Sequence, residues 1–126
     1  NYFNTAYRLG PQFTELALYS AVGNITAGNQ EEADRVLIAT FGTKNVDNDI
    51  LSTAYYRAQN WSRLIDFWKS RAERSEARPE TWFSLAASYY ESGDKESAIK
   101  TINKAVGLYP EVAADGAAAI RQIEGQ

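Results

Sequence analysis

Residues 79–110 read Pro79-Glu-Thr-Trp82-Phe-Ser-Leu85-Ala86-Ala-Ser-Tyr89-Tyr-Glu-Ser-Gly93-Asp94-Lys-Glu-Ser-Ala98-Ile-Lys-Thr-Ile102-Asn-Lys-Ala105-Val-Gly-Leu-Tyr-Pro110. Their spacing predicts two helices joined by a tight turn. Trp82, Leu85 and Tyr89 lie three and four apart, so they share one face of a helix. Gly93 can take the left-handed conformation that ends that helix, and Asp94 can cap the next by accepting from its free amides. Ala98 and Ala105 are small where the helices of a hairpin must approach closely, Ile102 is the large apolar residue between them, and Pro110 stops the second helix.

The same order of residues recurs upstream. Gly28-Asn29 precedes Gln30-Glu31-Glu32-Ala33, so Asn29 is expected to cap, Glu32 to complete a capping box and Ala33 to be the close-packing residue, with Leu37 in the large apolar place. Further on, Tyr55 is the helix-face aromatic, Asn60 the cap, Leu64 the packing residue and Trp68 the large apolar one. Asn29, Asn60 and Asp94 thus fall at equivalent places, each a preferred N-cap type. The intervals differ: Asn29 and Asn60 are 31 positions apart, Asn60 and Asp94 are 34 apart, and a tightened loop at Gly42-Thr43-Lys44 accounts for the shorter one. Gln59 stands where Gly would relieve a left-handed turn, a strain of roughly 1 kcal/mol if the geometry is kept. Leu64 and Arg71 replace small residues, which predicts a second hairpin that is splayed or shifted.

The ends extend the pattern. Phe3, Ala6 and Pro11 repeat the spacing of Ile102, Ala105 and Pro110, so residues 1–9 are expected to be the second helix of a truncated repeat. After Pro110, the stripe Val112, Gly116, Ile120 and Ile123 predicts a terminal helix that covers the last repeat, with Gly116 permitting a close helix contact. The expectation is one all-α domain with an orphan helix at 2–9, hairpins near 12–27/30–41, 48–59/61–75 and 80–92/95–108, and a terminal helix near 111–124. In segments, 1–11 is the truncated tail, 12–45, 46–78 and 79–110 are three repeats, and 111–126 is the capping helix.

Residues 79–110 resemble the tetratricopeptide-repeat signature, W-x2-L-G-x2-Y…A-x3-F…P over about 34 residues, with Ala86 for the small Gly and Ile102 for the Phe. The resemblance implies a right-handed superhelical solenoid of antiparallel helix hairpins, and a non-catalytic scaffold for protein–protein interaction. In such solenoids the first helices line a concave face where partners lie. Counting round each first helix places Leu18, Val22 and Ile25 on that face, then Asp49, Thr53, Tyr56 and Arg57, then Phe83, Ala87, Tyr90 and Glu91. The result is an apolar and aromatic groove for a peptide or helix of a partner protein, or for another domain of the parent chain. Tyr56, Phe83 and Tyr90 are equally compatible with core packing, because aromatics at helical spacing are usually buried. Family members that hold chaperone C-terminal carboxylates use Lys, Asn and Arg here. This chain has Leu18, Val22, Asp49, Thr53 and Phe83 at those places, so that clamp is absent.

A narrower resemblance rests on Trp61 to Arg71, Ser84 to Lys95 and Gly116 to Ile123. These stretches look like the repeat tails of bacterial O-antigen polymerase or ligase-type membrane proteins. That resemblance implies a soluble accessory domain of a glycan-assembly enzyme, tethered to the bacterial inner membrane through upstream spans, with the catalytic part elsewhere. A sugar-stacking aromatic platform is a further alternative, although polar partners for hydroxyls are sparse.

Composition narrows the chemistry. The chain has 126 residues, enough for one domain with a real core. It has no Cys and no His, which removes thiolate nucleophiles, Cys-ligated zinc and the commonest general base at neutral pH. No catalytic, metal or cofactor site is therefore expected. The carboxylate pairs Glu31/Glu32 and Glu73/Glu76 read as hydrated helix surface, and Gly23-x4-Gly28 lacks the Lys of a phosphate loop. The net charge of −3 gives no reason to expect nucleic acid. No apolar run approaches the length of a membrane span, roughly 18 residues or more. There is no Met, even at position 1, so Asn1 is expected to lie within a longer chain.

Two local features compete with the groove. Arg57, Arg63, Lys69, Arg71, Arg74 and Arg78 form a basic strip, interrupted by Asp66, Glu73 and Glu76. It reads as i,i+4 pairing on an exposed helix, with docking of an acidic partner or membrane headgroups as the alternative. The sequons Asn24-Ile-Thr and Asn60-Trp-Ser use Asn residues that already have helix or cap roles.

Overall fold

The computed structural model describes residues 11–74 and 77–125, and the backbone alone at 11 and 12. The orphan helix expected at 2–9 and the carboxylate of Glu76 lie outside the described residues. Among the described residues every regular element is helical: α1 Pro11–Thr26, α2 Gln30–Phe41, α3 Asp49–Arg57, α4 Trp61–Ala72, α5 Pro79–Glu91, α6 Lys95–Leu108 and α7 Ala113–Ile123, with one 3₁₀ turn at Pro110–Val112. The chain divides into two compact units, Asn1–Asn60 and Trp61–Gln126, so the boundary falls inside the segment 46–78 expected to be one repeat.

Three of the described turns share one backbone geometry. Gly28, Gln59 and Gly93 all have positive φ, at 84°, 57° and 92°. In each, the next residue's amide reaches back across the turn: Asn29 N–H to the Asn24 carbonyl at 2.7 Å, Asn60 to Tyr55 at 2.9 Å, Asp94 to Tyr89 at 2.9 Å. The left-handed residue itself donates to Ile25, Tyr56 or Tyr90 at 3.0–3.1 Å. These bonds satisfy the carbonyls that a helix end leaves open. Gln59 keeps the strained conformation that its place in the pattern predicted.

Asp94 caps as expected and Asn29 does not. Asp94 caps α6, its Oδ1 accepting from the Ser97 amide at 3.0 Å. Asn29 stands at the N-cap of α2 without a side-chain cap bond, and the expected capping box with Glu32 does not form. The reason is that the Asn29 amide, which Glu32 was to satisfy, already donates to Asn24; Glu32 pairs with Arg35 at 3.2 Å instead. The Asn60 side chain donates to Gln30 Oε1 at 2.8 Å, and Gln30 Nε2 in turn donates to Asp34 at 2.9 Å, which ties α2 to the end of α3. An unforeseen cap is Asn48, whose Oδ1 accepts from the Ile50 amide at 3.0 Å and opens α3.

In the first unit α1 packs against both α2 and α3. Ala17, Ala21 and Ile25 of α1, Ala33 and Leu37 of α2, and Leu51, Ala54 and Tyr55 of α3 are buried. The small Ala17, Ala21 and Ala33 let helix backbones approach closely. Thr40 is also buried, and its hydroxyl has no hydrogen-bond partner among the described residues.

In the second unit α5 packs against α4 and α6, and α6 against α7. One cluster joins Ala72, Trp82, Leu85 and Ala105, with Ile65, Trp68, Tyr89 and Tyr109 packed on it. A second joins Ala86, Ala98, Ile102 and Ile123, flanked by Phe83 and Ala119. Gly116 lies in the contact of α7 with α6: an added Cβ would stand 2.5 Å from Val106 Cγ2 and 3.3 Å from Ile102 Cγ2. Close approach there is why this helix tolerates a glycine. The Tyr109 hydroxyl donates to the Ala77 carbonyl and fastens the loop before α5 to the end of α6.

Within α4 Leu64 is buried as expected, but the later packing positions differ. Phe67 is buried and Trp68 half-buried, and Ala72 fills the small buried place expected at 71. The Arg71 guanidinium lies over the Phe67 and Trp68 rings, 4.8 and 5.1 Å from their centroids.

Candidate functional site

The four residues predicted on the groove face of the third repeat converge in the second unit. Phe83, Ala87, Tyr90 and Glu91 line an open cavity of about 280 Å³, with Ala86 and Ile102 beneath and Ala119, Gln122 and Ile123 of α7 opposite. A second depression, about 210 Å³, continues along the same helices between Pro79, Glu80, Phe83 and Val112, Asp115, Ala119. Phe83 and Ala119 belong to both, so the two form one furrow between α5 and α7. Tyr90 is 41% exposed and Phe83 half-buried, so one aromatic is open to solvent and the other is shared with the core.

The furrow is an apolar channel with an acidic rim. Its floor is alanine, isoleucine and aromatic surface, while Glu80, Glu91 and Asp115 are the charged residues lining it. Spacing alone missed the α7 wall. The stripe Val112, Gly116, Ile120 and Ile123 identified the buried side of α7, and Ala119 with Gln122 beside it was the available signal.

In the first unit Leu18 and Val22 are half-buried on α1, and Asp49, Thr53, Tyr56 and Arg57 are exposed along α3. Tyr56 is 57% exposed. Ile25, expected on the groove face, is 2% exposed and belongs to the core, because α1 has neighbours on two sides. Leu18 also lines a separate hollow with Thr14, Glu15, Tyr19, Asn48 and Ile50.

The basic strip is heterogeneous. Arg71 is engaged with two aromatic rings, Arg63 is half-buried, and Lys69, Arg74, Arg78 and Arg57 are exposed. Both sequon asparagines use their amide groups within the protein, Asn24 toward the Ser20 carbonyl at 3.0 Å and Asn60 toward Gln30 at 2.8 Å.

Among the described residues no group of three or more Asp and Glu could hold a metal ion. Asp94 is the described group whose pKa is displaced: hydrogen bonds from the Ser97 side chain and backbone, with Lys100 nearby, hold its carboxyl below the ordinary value. That is the signature of a helix cap. No described helix is long and apolar enough to cross a membrane. Compared with known proteins, the chain matches no family model, no curated protein and no solved structure.

Proposed function

We propose that this chain is a tetratricopeptide-type scaffold that binds a peptide or helix of another protein and carries out no chemistry. The observation that carries the proposal is the furrow between α5 and α7. It gathers Phe83, Ala87, Tyr90 and Glu91, selected by repeat spacing, into one concave apolar surface. The recurrent turn at Gly28, Gln59 and Gly93 supports the repeat reading, because one hairpin grammar repeated along a chain is what a solenoid requires. The absence of His and Cys from the sequence favours binding over catalysis.

Selection of displayed peptides on the purified chain tests this directly. Peptides recovered should lose binding to Phe83→Ala with Tyr90→Ala, each anchor costing about 2 kcal/mol if it is a hot spot. Lys69→Glu with Arg74→Glu should alter mainly association rate and salt dependence. Intact binding by the aromatic pair with loss in the basic pair would move the site to α4 and refute the groove.

A further inference from the structure

We infer that the occupant of the α5–α7 furrow is a cationic amphipathic helix of a partner protein. This rests on the groove proposed above and adds the chemistry of its ligand. The shape comes first. Phe83, Ala87 and Tyr90 on one wall, and Asp115, Ala119 and Gln122 on the other, each stand at i, i+4 and i+7. That is the spacing by which a helix presents a seam to another helix. The midpoint of each wall is an alanine, and larger side chains stand at the ends. A third helix can sink between them at the middle and be gripped at Phe83 and Tyr90. An extended strand would have residues at period two and would not match either seam.

The charge comes second. Glu80 and Asp115 rim one end of the furrow and Glu91 the other, and no Lys or Arg lines it. All three carboxylates are exposed, and none is in an ion pair among the described residues. Three cations of this unit are engaged away from the furrow: Lys100 pairs with Glu96, Lys104 lies over the Trp82 ring, and Arg71 lies over Phe67 and Trp68. Glu80 and Glu91 are eleven residues apart on α5, about 16 Å along the helix. An occupant with a leucine-type stripe and Lys or Arg flanking it at a separation of about three turns therefore meets apolar surface at its centre and carboxylates at both ends. An acidic helix would meet like charge at both.

Three synthetic helical peptides decide it, measured by fluorescence anisotropy against the full chain: a Leu/Lys amphipath, its Leu/Glu counterpart, and a Ser/Lys peptide of the same charge without the stripe. The Leu/Lys peptide should bind best, and rising salt should weaken it as rim charges are screened. Glu80→Lys with Glu91→Lys should weaken its Kd by roughly tenfold or more and improve binding of the Leu/Glu peptide. Phe83→Ala with Tyr90→Ala, checked for unchanged helical circular dichroism, should weaken the Leu/Lys peptide while leaving the feeble Ser/Lys binding alone. Equal or tighter binding of Leu/Glu to the unaltered chain, still lost with the aromatic pair, overturns the cationic occupant and leaves the groove standing. Leu/Lys binding that ignores the aromatic pair overturns both. Failure of the Leu/Lys peptide to bind also overturns the inference, and tight binding only at double the subunit mass would assign the furrow to a second copy.

Discussion

The turns at Tyr89–Asp94 and Tyr55–Asn60 have one backbone and two sequences. In both, the sixth residue donates to the first carbonyl at 2.9 Å and the fifth has positive φ. In the first the fifth residue is Gly93, for which that conformation carries no Cβ penalty; in the second it is Gln59, for which it does. Local preference therefore does not decide the second turn. The surrounding bonds do: Ala58, Gln59 and Asn60 each donate to a carbonyl of α3, and the Asn60 side chain is held by Gln30. Strain of about 1 kcal/mol persists where neighbouring contacts over-determine the backbone.

If packing outranks turn chemistry, the largest effect should come from a packing residue. Ala98 is 0% exposed, in a cluster with Ala86, Ile102 and Ile123. Ala98→Asp should destabilise by more than about 3 kcal/mol, because a carboxylate would be forced unpaired into a helix crossing. A urea midpoint close to the parent's would mean that this face of α6 is not buried.

Exchange of the turn residues comes next. Gln59→Gly should stabilise by up to about 1 kcal/mol, and Gly93→Gln should cost a similar amount. The second change isolates the backbone effect, since a Cβ added at Gly93 meets nothing within 4 Å. Thermal melting of the two variants should shift in opposite directions. The reversed pair of shifts, with Gln59→Gly lowering the melting temperature and Gly93→Gln raising it, would show that glycine's greater freedom in the unfolded chain outweighs the strain.

The same contrast explains what the sequence made legible. The αL positions and Asp94 could be read because single residues carry their chemistry, and the helices followed from apolar spacing. What failed depended on neighbours. Asn29 looks like a capping box, but its amide belongs to the preceding helix. Arg71 reads as surface charge, but aromatic rings beside it recruit its guanidinium. Pro110 follows the end of α6 at Leu108 as expected, and it also opens the 3₁₀ turn that delays α7 to Ala113. Half of the furrow was visible because Phe83, Ala87, Tyr90 and Glu91 share a helix face. The other half depends on how α7 docks, which Gly116 hinted at and only packing against Val106 and Ile102 defines.

A smaller effect separates the outer face of α6 from its buried one. Lys100 and Glu96 are paired at 3.1 Å with side chains 74% and 79% exposed. Lys100→Ala should change stability by no more than about 0.5 kcal/mol, since solvent and salt screen such pairs. A loss approaching that of Ala98→Asp would mean that the two faces are not distinct.

The smallest effect concerns the carboxylate cap that follows Gly93. Hydrogen bonds from Ser97 hold the Asp94 carboxyl below its ordinary value, with a further contribution from Lys100. The folded state therefore binds that proton less readily than the unfolded one, so the stabilisation is fully present above the unfolded value of about 3.9 and fades as pH falls through and below it. Asp94→Asn keeps an acceptor oxygen but loses the charge. The stability difference between parent and variant should be present at neutral pH and vanish in acid, once the parent carboxyl is itself protonated. In the Lys100→Ala background the same difference should be smaller at neutral pH, because one attraction holding the carboxyl charged has gone. Urea midpoints at neutral pH and near pH 3, for the four combinations, measure both statements. A parent–variant difference that stays constant with pH would assign the cap to geometry alone and remove the charge from the account.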